Sequence, residues 1–215
     1  RGVERRIIDA ITTNETLFFR DNAPFDMLRH KIVPELIDRR RRTGACRIRI
    51  WSAACSTGQE LYSIAILLKD LLGDPDHYGV RLLGTDISDD AVARASKGIF
   101  SQVEISRGLP PELRAKYFSS RDGNWQIRDE VRALASFRRL NLMHDFSSLG
   151  RFDIILCRNV AIYFNEADRR TLFGRLERSL EPDGYLMIGS MESLAGMPQF
   201  ESRRHLRSVY YQLKH

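Results

Sequence analysis

Strand-like and helix-like hydrophobic periods alternate along this chain. Arg47-Ile48-Arg49-Ile50-Trp51 places apolar residues at every second position, as a strand does, and Leu61, Ile64, Ala65, Leu68, Leu71 and Leu72 then mark one helical face. The order repeats. Val80 to Leu83 predicts a strand ending at Gly84-Thr85-Asp86, and Ser88 can cap a helix through Ala91, Val92 and Ala95 that stops at Gly98. Further strands are predicted at Ser136–Asn141 and Phe152–Cys157. A helix then opens on Asn165, shows Leu172, Leu176 and Leu180 on one face and ends at Pro182-Asp183-Gly184. Tyr185–Gly189 and Ser208–Leu213 read as the last strands. Upstream, Pro24 starts a helix with Phe25, Leu28, Ile32 and Leu36 on one face; it runs into Arg39–Arg42 and stops at Thr43-Gly44. Alternating strands and helices predict an α/β doubly wound sheet, whose ligands bind beyond the carboxyl ends of the strands.

Residues 99–135 break the rhythm with Gly108-Leu109-Pro110-Pro111, a short helical piece around Leu113 to Phe118, and a hairpin turning at Asp122-Gly123. This stretch reads as a small insertion on one main domain. At 215 residues, 43% hydrophobic and 29% charged, the chain is neither a disordered tail, a collagen-like repeat nor a membrane bundle. No apolar run approaches the roughly 18 residues that span a bilayer. The sequence opens at Arg1 without a methionine, which predicts a fragment or processed form. Cys46, Cys55 and Cys157 are odd in number and form no CxxC, so a disulfide framework is not expected and a reducing cytoplasm fits. The five scattered histidines predict no metal site. A net charge of +6 permits nucleic acid, an acidic membrane surface or an acidic protein as partner without choosing among them.

The strand ends carry the chemistry. Ser52 to Gly58 lacks both GxGxxG and the lysine of a phosphate loop, yet its small residues let backbone approach a ligand. Glu60, at the next helix start, suits an ammonium group better than a pyrophosphate; it also suits the helix dipole. Asp86 can take both hydroxyls of a ribose, or cap the following helix. These features fit an adenosine ligand bearing an amino group and no phosphates, such as S-adenosylmethionine. Arg158 and Asn159 follow a buried apolar run, so they either face the cleft or are fully paired. Tyr163 can be a cleft residue or a core wedge between Ile162 and Phe164, and Asn141 a cleft or a turn residue. Thr12 and Glu15 can form a capping box ahead of Phe18-Phe19; that does not account for Arg20, which can be a cleft residue or simply a solvated arginine.

As a set, Thr13-Asn14-Glu15-Thr16 with Phe18-Phe19-Arg20, Trp51 to Gly58, Gly84-Thr85-Asp86-Ile87, Asn141-Leu142, Phe152-Asp153, Cys157-Arg158-Asn159-Val160, Ile162-Tyr163-Phe164 and Pro182-Asp183-Gly184 resemble the chemotaxis receptor methyltransferases, the CheR family. The resemblance implies a Rossmann-like sheet of the class I S-adenosylmethionine-dependent methyltransferase type with a small antiparallel β insertion. It implies methyl transfer to glutamate side chains in the cytoplasmic helical domain of membrane chemoreceptors, without nucleic acid, membrane insertion or metal. By position it implies that Asn14, Thr16, Arg20, Glu60, Asp86, Asn141, Leu142, Arg158 and Asn159 bind the cofactor, and that Arg20 and Tyr163 are catalytic. Residues 1–20 would be a remnant of the family's N-terminal helical domain and linker, and 21–215 the methyltransferase domain. Gln59 and Leu61 depart from the family's usual Glu and Pro. The hairpin Ser119 to Arg128 is short beside the loop with which some members dock a receptor-tail pentapeptide, so tail binding is not expected. The Arg39–Arg42 run can greet an acidic receptor helix, but reads first as a solvated helix end. Two rival readings are a nucleic-acid methyltransferase and a non-catalytic module that senses the cofactor or another nucleotide.

Overall fold

A computed structural model describes residues 15–44 and 47–214 of the chain. Helix α1 (Ala23–Met27) passes through a π-helical turn (Leu28–Ile32) into α2 (Val33–Thr43). Strand β1 (Ile48–Ala53), α3 (Gln59–Leu72), β2 (Val80–Asp86) and α4 (Asp89–Lys97) follow. The inserted stretch holds β3 (Ile99–Phe100), α5 (Gln102–Ser106), α6 (Pro111–Tyr117), β4 (Phe118–Arg121), β5 (Asn124–Ile127) and α7 (Asp129–Arg132). The chain closes with β6 (Ala135–Arg139), β7 (Phe152–Cys157), α8 (Glu166–Ser179), β8 (Leu180–Ile188), β9 (Phe200–His205) and β10 (Ser208–Leu213).

Among the described residues, the main sheet runs β6-β2-β1-β7-β8-β10-β9. Its first five strands are parallel; β10 is antiparallel to β8 and to β9. The chain leaves β1 toward β2 and β6 and returns on its other side at β7, so the switch point lies between β1 and β7. A second sheet, β3-β5-β4, is antiparallel, and Asp122 at its turn is left-handed as the Asp-Gly hairpin signal requires.

Two apolar clusters cover the faces of the main sheet, and the period of two sorts residues between them. Ile50, Ile154, Leu156, Tyr185 and Met187 join one cluster with α1, α2 and α3; Trp51, Ile155, Cys157, Leu186 and Ile188 join the other with Leu172, Phe173 and Leu176 of α8. Trp51 is fully buried and satisfies its indole by donating to Thr85 Oγ1 at 2.9 Å. Helix α3 lies between the sheet and the inserted stretch, and its residues from Gln59 to Leu68 are buried except Glu60.

Ser88 and Asn165 cap their helices as the sequence predicts, accepting from the amides of Ala91 and Asp168. Three expectations are corrected. Helix α8 ends at Ser179, and Pro182-Asp183-Gly184 lies within β8 beside a register shift against β7, an irregularity that accommodates a proline. Strand β9 is an addition to the expected strands: only Phe200 in it is buried, because it is a polar edge strand. The arginine run is not simply a solvated helix end. Arg40 pairs with Asp153 and, at 3.0 Å, with Asp183, while Arg39 donates to Tyr185 Oη at 2.5 Å, so the end of α2 is riveted to the base of β7 and β8. None of the described helices is long and apolar enough to cross a membrane.

Candidate active site

A cavity of about 530 Å³ opens at the carboxyl edge of the sheet, over the switch point. Its walls come from the loop after β1, the ends of β2 and β6, the turn after β7, and a strap formed by residues 15–22. Thr16, Arg20, Glu60, Asp86, Asn141, Leu142, Arg158, Asn159 and Tyr163 all line it. Asn14 and the capping box at Thr12 lie outside the described residues.

The loop after β1 folds back through left-handed Ala54 and Ser56, and Cys55 donates its amide to Thr85 O at 2.8 Å. Ala54, Cys55 and Ser56 face the cavity. Gly58 serves another purpose: at φ +95° it packs inward, where a Cβ would stand 3.0 Å from Ala95 Cβ and 3.3 Å from the Phe137 ring. Only part of the small-residue run therefore lines the cavity; its last residue seats α3 against α4.

Asp86 is 7% exposed. Its two oxygens accept from the amides of Ser56 at 2.8 Å and Ser88 at 3.0 Å, which fixes the carboxylate's orientation on the cavity wall. Capping the helix is left to Ser88. Glu60 accepts from Ser52 Oγ at 2.8 Å and from Arg158 at 2.9 Å, so it is held by two partners beyond any dipole effect. Arg158 lines the cavity and is paired at both terminal nitrogens: it also donates to Asp21 Oδ2 at 2.7 Å and to Arg20 O at 3.0 Å, its side chain is 2% exposed, and its buried Nε has no partner. Two carboxylates thus meet one guanidinium, and the surplus negative charge favours a cation nearby.

Asn141 is both a turn and a cavity residue. Its Oδ1 accepts from the Met143 amide at 2.9 Å, an Asx turn that places Leu142 and Met143 on the wall, and Arg175 of α8 holds the Met143 carbonyl at 2.6 Å. The strap explains the phenylalanines before Arg20. Phe18 is fully buried, edge-on to Phe100 and Phe118, and Phe19 donates its amide to Ser63 Oγ at 2.9 Å. With these anchors set, Arg20 reaches the cavity and donates to Glu15 O. Tyr163 is not a core wedge: it is 67% exposed, on a one-turn helix (Ala161–Tyr163). Phe19, Asp21, Asn22, Ala54, Ser56 and Asn159 are all left-handed, so most of the backbone strain of the described residues gathers here.

Both described cysteines are free and buried. Burial, then the charges of Asp86 and Glu60, push the Cys55 thiol well up; burial, then Glu192 and Glu60, do the same to Cys157. No group of three or more His, Cys, Asp or Glu among the described residues could hold a metal ion.

Residues 14–209 match the family model described as the CheR methyltransferase, SAM binding domain. The chain belongs to the CheR methyltransferase family. Similar relatives include a chemotaxis protein methyltransferase of Pseudomonas aeruginosa, 40% identical over 202 residues that cover 92% of this chain and 72% of that protein. One from Vibrio cholerae is 41% identical over 218 residues, covering 100% and 78%. A third, from Borreliella burgdorferi, is 38% identical over 198 residues, covering 91% and 70%. As a CheR methyltransferase the chain has the Rossmann-like, class I S-adenosylmethionine-dependent fold, with its small antiparallel sheet as an addition. The wall suits that cofactor: a pinned carboxylate for sugar hydroxyls, apolar Ile87, Leu140 and Leu142, and an anionic surplus for an ammonium or sulfonium. Sequence reading alone missed Asp21, the second partner of Arg158, and Met143. No local pattern marks either one, because each is defined by contacts far along the chain.

Proposed function

We propose that this CheR methyltransferase esterifies glutamate side chains of chemoreceptors, forming γ-glutamyl methyl esters and S-adenosylhomocysteine. The observation that carries the reading is the convergence of Asp86, Glu60, Arg158 and Arg20, from four separate segments, on one cavity with Tyr163 exposed at its wall. S-adenosylmethionine would supply a methyl group on a sulfonium, ready for in-line displacement by a carboxylate.

Asp86 would hold the ribose hydroxyls. The Asp21–Arg158–Glu60 group would favour the cationic amino-acid end, and Asn14, Thr16, Asn141, Leu142 and Asn159 would complete the berth. An acceptor glutamate, whose carboxyl ordinarily titrates at about pH 4.3, is ionised at neutral pH and needs no general base. That removes the need for a histidine or a carboxylate pair. Arg20 would draw the acceptor carboxylate inward; a glancing contact serves better than a tight ion pair, which would stabilise the ground state. Tyr163 would donate a hydrogen bond to one acceptor oxygen while the other attacks. The anion and the cation cancel in the transition state, so a water-poor cavity with fixed dipoles helps, and alignment does most of the remaining work. The neutral Cys55 thiol offers no competing nucleophile on the wall.

The test is to supply methyl-labelled S-adenosylmethionine with chemoreceptor preparations and then add base. Volatile labelled methanol is the expected product, because carboxyl methyl esters hydrolyse. Base-stable label would indicate N-methylation, and the absence of labelling a sensor; either outcome overturns the proposal.

A further inference from the structure

Glu192 lies in the turn after β8 and does more than close that turn. Its Oε2 accepts from its own loop, the Gly189 amide at 2.6 Å, and from the Asn159 amide at 2.9 Å, 33 positions away. Asn159 follows Arg158 at the end of β7, lines the cavity and has φ +58°. The turn itself is already closed by the Glu192 amide donating to Gly189 O at 3.0 Å, so the side chain is not needed for that. The fit is close: a Cβ on Gly189 would stand 2.8 Å from Glu192 Oε2 and 3.0 Å from the Asn159 nitrogen. Hydrogen bonds from amides to a carboxylate are stronger than neutral ones, and a left-handed non-glycine residue persists only where its surroundings hold it.

We propose that Glu192 is a positioning residue for the cofactor site: its carboxylate bridges the β7 and β8 loops and holds Asn159 in its left-handed turn on the cavity wall. The proposal rests on the reading of that cavity as the S-adenosylmethionine site. Glu192 touches no substrate in this account; it acts through Asn159.

The test is calorimetric titration with S-adenosylhomocysteine, with a thermal melt to establish that each variant is folded. Glu192→Ala is expected to bind about tenfold more weakly, the loss of one charge-assisted hydrogen bond at the site. In an Asn159→Gly background, where the left-handed turn needs no external hold, the same change should cost no more than about twofold. A folded Glu192→Ala with wild-type affinity, or an equal loss in both backgrounds, overturns the positioning role. If Glu192→Ala does not fold, Glu192→Gln carries the test, since it keeps the size of the side chain while a neutral amide replaces the carboxylate. The expected result is a severalfold loss that disappears in the Asn159→Gly background, and unchanged affinity overturns the proposal. Absence of binding to the wild-type protein would overturn the cofactor reading itself, an outcome distinct from all of these.

Discussion

Asp21 and Arg158, 137 positions apart in sequence, meet at 2.7 Å and fasten the strap of residues 15–22 to the end of β7. Glu60 holds the other terminal nitrogen of the same guanidinium at 2.9 Å. The two carboxylates differ in exposure, 42% for Asp21 against 14% for Glu60, and so they differ in what each contributes.

Removing the more buried partner leaves Arg158 paired with Asp21 alone and takes away a charge-assisted hydrogen bond at a site only 14% exposed, so Glu60→Gln should cost about 2 kcal/mol. Asp21→Asn, on a half-exposed partner, should cost under about 1 kcal/mol of global stability. It should nevertheless weaken S-adenosylhomocysteine binding, because the strap carrying Thr16 and Arg20 loses its fastening. Urea melts and calorimetry on both variants check this; equal destabilisation by the two substitutions would contradict it.

Tyr163 is exposed, so removing its hydroxyl should not affect the fold. Tyr163→Phe is expected to lower kcat about tenfold or more with S-adenosylhomocysteine affinity and melting temperature unchanged, as for a hydrogen bond made to the acceptor in the transition state. Full turnover by the variant would remove the tyrosine from the mechanism.

Asp183 tests the rivet at the other end of the sheet. Burial pushes its carboxyl up, but the hydrogen bond and charge of Arg40, with the charge of Arg39, outweigh this and hold it below the ordinary value. A carboxyl whose folded pKa is depressed stabilises the fold above its unfolded pKa, about 3.9, and loses that contribution as pH falls through the folded value. Asp183→Asn should therefore melt below wild type at pH 7, with the gap narrowing as the pH falls below the unfolded carboxyl value of about 3.9. A gap independent of pH would mean that the ion pair contributes nothing.

Cys55 borders the cavity yet carries a thiol raised by burial and by two nearby carboxylates. Iodoacetamide at about pH 8 should leave it unmodified in the folded protein and label it promptly in urea, as read by peptide mass mapping. Prompt labelling of the native protein would show a thiolate where a neutral thiol is expected.

The sheet was legible where burial and period agree. β7 is buried on both faces and apolar but for Asp153, and its boundaries can be read from the sequence as they stand, Phe152–Cys157. β9, Phe-Glu-Ser-Arg-Arg-His, was not legible because an exposed edge strand has no hydrophobic period to read. The arginine run misled for a different reason: Asp153 and Asp183, which hold Arg40, lie 113 and 143 positions away and leave no local trace. The same holds at the site. Asp86 was visible as a lone acid at a strand end, whereas Asp21 and Glu192 acquire meaning only once the chain has folded beside Arg158 and Asn159.

The central claim is that the cavity at the carboxyl edge binds the adenosine cofactor through a carboxylate pinned by Ser56 and Ser88. It is tested most directly by titrating S-adenosylhomocysteine into wild-type protein and Asp86→Ala in a calorimeter. The account predicts saturable binding to wild type and a loss of about 100-fold in the variant, two charge-assisted hydrogen bonds' worth. Identical titrations, or no heat with wild type, would contradict it.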